Sequence, residues 1–262
     1  MNDESTQIPV AEHFYSVQGE GPHAGVPSVF LRLAGCNLAC GGSQNMSVEK
    51  QEDMEPSDDA TWVCDSIEVW RQPENTYTPR ELLDVWQEEG WWEKMTPSGA
   101  HLILTGGEPM LEPRQDQILG LIAEMLRERK RGKPFIEVET NGTIVPSDQL
   151  DSYINLYNVS LKLSNSGMDE DARLRDDALE FHANNDKSKF KFVVSREADV
   201  DEILNIVEEY NIPDRKISLM PAGQTREQLA ETYPIVAELC KDRVWDFTPR
   251  LQVTTWDQAT GV

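Results

Sequence analysis

Residues 35–40 read GCNLAC and residues 62–66 read WVCDS, and between them lies a polar spacer. This stretch holds Cys36, Cys40 and Cys64, three of the four cysteines of the chain. Three residues separate Cys36 from Cys40, and twenty-three separate Cys40 from Cys64. A C-x3-C inside a turn containing Gly and Asn brings two thiols together locally; the third must return across the spacer. Four cysteines in 262 residues do not make a disulfide scaffold, and clustered cysteines in a reducing compartment bind metal or carry redox chemistry. Cys240 lies apart, in the apolar pattern IVAELC, and reads as a packing residue.

The count of three is informative. A closed structural zinc site takes four ligands, and so does a four-cysteine ferredoxin cluster. His13, His23, His101 and His182 have no local spacing to the cysteines. A 4Fe–4S cluster on three cysteines leaves one iron open, and an open metal position marks a reactive site. A structural zinc loop is the alternative, and three unrelated buried cysteines the plain one. The spacer, residues 41–60, is polar, acidic and without clear period. It reads as an inserted, flexible loop with a short helical turn around residues 46–54.

Working outward, HFYSV (13–17) and SVFLRL (28–33) read as strands flanking the loop QGEGPHAGVP, which carries three glycines and two prolines. Residues 67–77 read as irregular. Thr78, Pro79 and Glu81 then announce a helix that Gly90 stops. AHLILTGGEPML (100–111) is a strand, a glycine turn and the approach to a helix over 114–131. Strands at 135–140, 155–167, 189–195 and 215–223 alternate with helices at 169–185, 198–211 and 225–242, and RLQVTTW (250–256) reads as a last strand. That rhythm predicts βαβ units and a parallel α/β sheet, an open or partial barrel. The whole of 1–262 reads as one domain. In such folds sites collect at strand ends, where TGGEP, ETNG, LKLSNSG and LMPAG lie.

Asp and Glu total 47 against 24 Lys and Arg, a net charge of −23. Such a surface repels phosphate backbones and anionic membranes, which argues against a direct nucleic-acid binder. Charge of this size, spread along the whole chain, suits a high-salt cytoplasm. No apolar run is long enough to span a membrane. The N-terminus lacks the basic and apolar regions of a secretory signal, so the expected address is cytoplasmic.

Together, Cys36, Cys40 and Cys64 and the later TGGEP resemble the cysteine triad and strand-end motif of the radical S-adenosylmethionine (SAM) superfamily. FYSVQGEG, P-x-VF-x-RL-x-GCNL, CDS, TGGEPML, ETNGT, KLSNSG, KFVV, LMPAG and the PRLQV–W–GV ending resemble, in order over residues 12–262, the 7-carboxy-7-deazaguanine synthase family. One departure stands out. The family's last two cysteines lie close together, whereas here the long gap falls between the second and third. Cys64 is chosen as the third ligand because Asp65 and Ser66 match the motif that follows the family's cysteine.

The resemblance implies a ring contraction of 6-carboxy-5,6,7,8-tetrahydropterin to 7-carboxy-7-deazaguanine with release of ammonia, using a 4Fe–4S cluster, SAM and Mg²⁺. Cys36, Cys40 and Cys64 would ligate iron, and Ser66 would offer Mg²⁺ a hydroxyl. SAM would lie against Val63, Cys64, Asp65, Gly107, Glu108, Asn141, Ser160, Leu161, Lys162, Met220, Pro221, Ala222 and Gly223. The pterin would be held by Val17, Gln18, Gly19, Glu20, Thr105 and the terminal carboxylate of Val262. Arg32 would form a bidentate pair with its carboxylate. The resemblance further implies a homodimer, an external electron donor of flavodoxin or ferredoxin type, and a product destined for queuosine- or archaeosine-type 7-deazapurines. Rival readings are another radical-SAM enzyme, such as a glycyl-radical activase, and a zinc-stabilised non-catalytic α/β module.

Overall fold

Strand residues alternate between two faces, and in this chain the two faces carry different chemistry. The computed structural model describes residues 7–57, 59–96, 99–128, 132–257 and 259. Among them, the strands are β1 (Ile8–Val17), β2 (Pro27–Leu33), β3 (Asn75–Tyr77), β4 (His101–Gly106), β5 (Ile136–Thr140), β6 (Leu156–Val159), β7 (Ser188–Val194), β8 (Ile217–Pro221) and β9 (Asp246–Phe247). They form one sheet in the order β3-β1-β2-β4-β5-β6-β7-β8-β9. β1 is antiparallel to both neighbours, and every pair from β2 to β9 is parallel. The expected parallel α/β architecture is present, and the sheet is open, with β3 and β9 as its edges.

The helices are α1 (Ile67–Trp70), α2 (Pro79–Glu88), α3 (Trp91–Met95), α4 (Glu112–Arg127), α5 (Asp148–Asp151), α6 (Glu170–Arg173), α7 (Asp176–Asn184), α8 (Asp199–Glu209), α9 (Arg226–Arg243) and α10 (Leu251–Trp256). Thr78 and Glu81 close the capping box that starts α2. On one face of the sheet Leu31, Leu104, Val138, Val159, Phe192 and Leu219 are fully buried in the main apolar core. From the other face Phe14, Arg32, Thr105, Glu139, Lys191 and Met220 line a common cavity. For strands as far apart in the sheet as β1 and β8 to wall one cavity, the sheet must curl round it, as in a partial barrel.

Several expectations change: the helix expected over 169–185 is two, α6 and α7, and the strand expected over 155–167 is confined to β6. The segment RLQVTTW is helical, α10, although its alternation and threonines favour a strand. Tertiary contacts override that preference: the Leu251 N–H donates to Gly19 O at 2.9 Å, and Gln252 Nε2 donates to Glu20 Oε1 at 2.6 Å. Residues 67–77, expected to be irregular, contain α1 and the edge strand β3.

The spacer departs from the flexible loop expected of it. It contains short 3-10 turns at Ser43–Ser47 and Gln51–Asp53. Asn45 is 1% exposed and acts as its internal post. Its Nδ2 donates to Gly41 O (3.0 Å) and Glu55 O (2.9 Å), and its Oδ1 accepts from the Glu55 N–H (3.2 Å). Arg71 donates to the carbonyls of Met46 and Val48. Met54 joins Val63, Ile67 and Trp70 in a second apolar cluster, against which Cys36 and Cys64 pack. Thus the polar spacer folds into a lid-like wall beside the cysteines.

Asn45→Ala removes the three side-chain hydrogen bonds that tie Gly41 to Glu55 and empties the space of a buried side chain, at a cost of about 1–3 kcal/mol. Because the damage is local, iron content after anaerobic reconstitution should fall while the far-ultraviolet circular dichroism of the barrel is kept. Wild-type iron content in the variant would contradict the role assigned to the wall. A separate test concerns His182, fully buried with Nδ1 at 2.9 Å from Ser188 Oγ. Burial, and then the Lys216 charge, push it down from 6.5 to about 4. The unfolded chain therefore binds a proton that the native chain does not, so stability is full above pH 6.5 and falls toward pH 4. Between pH 7 and 5 this group should remove about 2 kcal/mol of urea stability, a slope that His182→Gln should reduce.

Candidate active site

At the C-terminal ends of the parallel strands the two halves of the cysteine stretch meet. Gly41 has a φ of +93°, and a Cβ there would lie 2.6 Å from Val63 Cα. Only glycine permits that approach. It lets the spacer loop out and return, and the Cys64 N–H donates to Cys40 O at 3.2 Å. The loop after β6 anchors the return: Gly41 N–H donates to Ser166 O (2.8 Å) and Thr61 N–H to Asn165 O (2.9 Å).

All three thiols are free and line one cavity of about 270 Å³. Burial pushes Cys36 and Cys40 up to about 12, so a metal taking them as thiolates must displace their protons. The Leu38 N–H (3.5 Å) and Asn141 Nδ2 (3.9 Å) point at Cys36 Sγ, donors that suit a charged sulfur. Among the described residues, the one His/Cys/Asp/Glu trio with all ligand atoms within 4.8 Å of one another is His23, His101 and Glu137, not the cysteines. Four thiolates at 2.3 Å from one zinc would sit about 3.8 Å apart. A cluster, whose irons occupy separate corners, takes thiolates spaced more widely. The donor set and its spacing fit a cluster better than a single ion.

Around the thiols, Val63, Asp65, Ser66, Gly107, Asn141, Ser160, Lys162, Met220, Ala222 and Gly223 line the same cavity. Lys162 Nζ donates to Ser160 Oγ (2.8 Å) and lies 5.8 Å from the centre of the Trp62 ring. Leu161 and Pro221 are not part of the lining; Leu161 faces the main core. Glu108 also differs from its expected place at the wall. It is fully buried, and its carboxylate accepts from Thr140 Oγ1 (2.7 Å), Met110 N–H (2.8 Å) and Asn141 N–H (2.7 Å). It joins the end of β4 to the end of β5, setting the position of Asn141.

The opposite end of the cavity is floored by the β1–β2 loop. Val17, Gln18, Gly19 and Glu20 line it, with Arg32 and Thr105 on the strands above. Gln18 Nε2 donates to Glu139 Oε1 (3.0 Å), and Thr105 Oγ1 to Glu139 Oε2 (2.8 Å). Arg32 Nε donates to Glu12 Oε1 at 2.7 Å, which leaves its terminal Nη groups outside that bond. Phe14 and Phe30 stack at 5.0 Å to form an apolar wall. A Cβ at Gly19 would lie 2.0 Å from Gln252 Oε1, so glycine there lets the Gln252 side chain of α10 pack directly on the floor loop. Val262 lies outside the described residues.

An ion network absent from the sequence reading runs through this floor. Glu20 pairs with Lys191 Nζ and, at 3.1 Å, with Arg250 Nε. Arg250 also pairs with Asp65 and donates to Gly223 O. Burial alone would raise Glu20, but the Lys191 and Arg250 charges hold it well below the usual carboxylate range. Burial would likewise lower Lys191, and Glu20 keeps it charged. The signal for Lys191 was in KFKFVV, whose lysines alternate with core phenylalanines. Arg250 lies inside PRLQV, where no neighbouring residue in the sequence marks its pairing with Glu20 and Asp65.

A family model described as a 4Fe-4S single cluster domain matches residues 17–176. The 7-carboxy-7-deazaguanine synthase of Halobacterium salinarum is 32% identical over 273 residues, covering 96% of this chain and 91% of its own. That of Pyrobaculum aerophilum is 31% identical over 260 residues, 97% of each chain. The crystal structure of QueE from Escherichia coli superposes with a TM-score of 0.58 at 24% identity, over 95% of this chain and 98% of that one; it supports the fold.

Glu20→Gln would leave Lys191 and Arg250 buried without their shared carboxylate. Breaking one partner of such a network costs about 3–5 kcal/mol. Urea unfolding at neutral pH should register it, and a change under about 0.5 kcal/mol, the range of an ordinary surface substitution, would refute the network's structural weight.

Proposed function

The chain belongs to the 7-carboxy-7-deazaguanine synthase family, a family of radical-SAM lyases. From that premise we propose that it contracts the ring of 6-carboxy-5,6,7,8-tetrahydropterin to 7-carboxy-7-deazaguanine, releasing ammonia, for 7-deazapurine biosynthesis. The observation that carries this reading is the single cavity onto which three thiols, a ring of strand-end polar groups and an amide-bearing floor all open. When bound, the cluster and SAM supply a carbon-centred radical able to take a hydrogen atom from the substrate.

The chain's own residues bind, orient and exclude water. Cys36, Cys40 and Cys64 hold the cluster. Val63 to Asp65, Gly107, Asn141, Ser160, Lys162, Met220, Ala222 and Gly223 hold SAM, with Leu161 and Pro221 behind them supporting the strand ends. Gln18 reads a pterin edge, since a carboxamide both donates and accepts. Its orientation comes from the bond to Glu139. Arg32 turns its guanidinium to the substrate carboxylate; Glu12 steadies it through Nε. Thr105 and Val17 to Glu20 complete the pterin side. Ser66, on the same wall as Cys64, offers Mg²⁺ one hard ligand, as suits an ion that keeps several waters. The aromatic pair Phe14 and Phe30 keeps the cavity dry.

Residues 1–262 act as one domain in this reading, working as a homodimer with an external flavodoxin- or ferredoxin-type donor. The net charge of −23 suits a high-salt cytoplasm and disfavours direct contact with nucleic acid. Among the described residues no helix is long and apolar enough to cross a membrane.

Anaerobically reconstituted protein, given reductant, SAM, Mg²⁺ and the tetrahydropterin, should yield 7-carboxy-7-deazaguanine by mass spectrometry. Cys64→Ala should lose iron and turnover together. SAM cleavage without the deazaguanine product would overturn the substrate assignment, and zinc at one per chain in place of iron would overturn the enzyme. Arg32→Ala should raise KM about 100-fold or more, the weight of a lost charge-assisted pair at about 3 kcal/mol. An unchanged KM would remove Arg32 from the carboxylate.

A further inference from the structure

Beneath the floor loop, at the N-terminal ends of β4 and β5, lies a second constellation that the reaction does not use. His23 is on the β1–β2 loop, His101 begins β4, and Glu137 follows the first residue of β5. His23 Nδ1 lies 2.7 Å from Glu137 Oε1, and His101 Nδ1 lies 2.9 Å from the same oxygen. One ligand atom from each residue falls within 4.8 Å of the other two. Glu137 is fully buried, His101 is 14% exposed at its side chain, and His23 is 32% exposed.

The distribution of partners is uneven. One oxygen of Glu137 meets both imidazoles, while Oε2 is buried without a hydrogen-bond partner. A carboxylate held only by two N–H donors gains more by giving each donor its own oxygen. Two imidazole nitrogens and one carboxylate oxygen within 4.8 Å of one another are, by contrast, the donor set of a three-ligand zinc centre with an open fourth position. Phe135 stacks on His101 with centroids 4.3 Å apart and meets His23 edge-on at 5.2 Å, which orients both rings and shields one side. The partly exposed edge of His23 leaves the fourth position to water.

We propose that His23, His101 and Glu137 form a binding site for a divalent transition metal of the zinc class, separate from the cysteine cluster. Its ligands come from the floor loop and from the starts of two adjacent parallel strands. The ion pins the loop that carries Gln18 and Glu20, three to five residues before His23, into the cavity. Glu137 and Glu139 project from the same face of β5, so the loop is held at two successive levels: by Glu139 through Gln18 and by Glu137 through His23. The proposal does not rest on the reaction assigned above.

The test uses the cluster-loaded protein, freed of loosely held ions by dialysis and titrated anaerobically with Co²⁺ and then Zn²⁺. One equivalent of Co²⁺ should bind, giving visible ligand-field bands without sulfur-to-metal charge transfer. Zn²⁺ should displace it and raise the melting temperature. His23→Gln, chosen because His23 is the most exposed of the three ligands, should weaken Co²⁺ binding at least about tenfold and abolish the zinc-dependent rise, with iron content unchanged. His101→Gln should do the same. Absence of the visible bands, a sulfur charge-transfer band, or wild-type Co²⁺ affinity in both variants would overturn the proposal.

Discussion

The carboxylate of Glu20 is the point on which the two ends of the chain close. It sits in the first hairpin, yet its partners come from β7 and from the last segment of the chain. An open sheet does not close itself by hydrogen bonding between its edges. Here the curl is held from inside, by a buried ion network that crosses the cavity floor and continues through Arg250 to Asp65, next to Cys64. The same contacts therefore set the floor, the wall and the neighbourhood of one thiol. Desolvation makes such groups costly when unpaired, which is why a network is found and not a lone pair.

The cysteine end obeys a different constraint, one of space. The spacer can be long because Gly41 allows the backbone to touch Val63 before and after it. Once those two points are joined, the length between them matters little to the thiols. The chain has nonetheless given the spacer its own post, Asn45, and its own apolar contacts, so it shields the cysteines and does not merely connect them. Glu108 plays the corresponding part for the strand ends, fixing Asn141 from behind the wall.

How much of this was legible varied by residue. Gly107, Asn141 and Lys162 could be placed on the cavity from motifs, because each sits within a few residues of a strand end, and the cysteines were marked by their own clustering. The helix at Thr78 was legible through its capping box. Lys191 was hidden because a lysine in a strand usually faces solvent; only the curl of the sheet turns it inward. Glu137 carried no signal at all, since its partners lie 114 and 36 positions away. The segment 250–256 misled, as its threonines and alternation describe a strand while its backbone contact with Gly19 requires otherwise.

The sequence by itself determined the alternation of strands and helices, the parallel sheet, the three thiols and the family. These follow from short-range spacing: period two in strands, caps at helix ends, and motifs in a fixed order. Only the tertiary structure decided which polar residues share a cavity, that the spacer is a folded wall, and that Glu108 stands behind the wall. It also decided that two histidines converge on a buried carboxylate. Those outcomes depend on which distant strands lie side by side and on how far the sheet curls, and no local pattern encodes either.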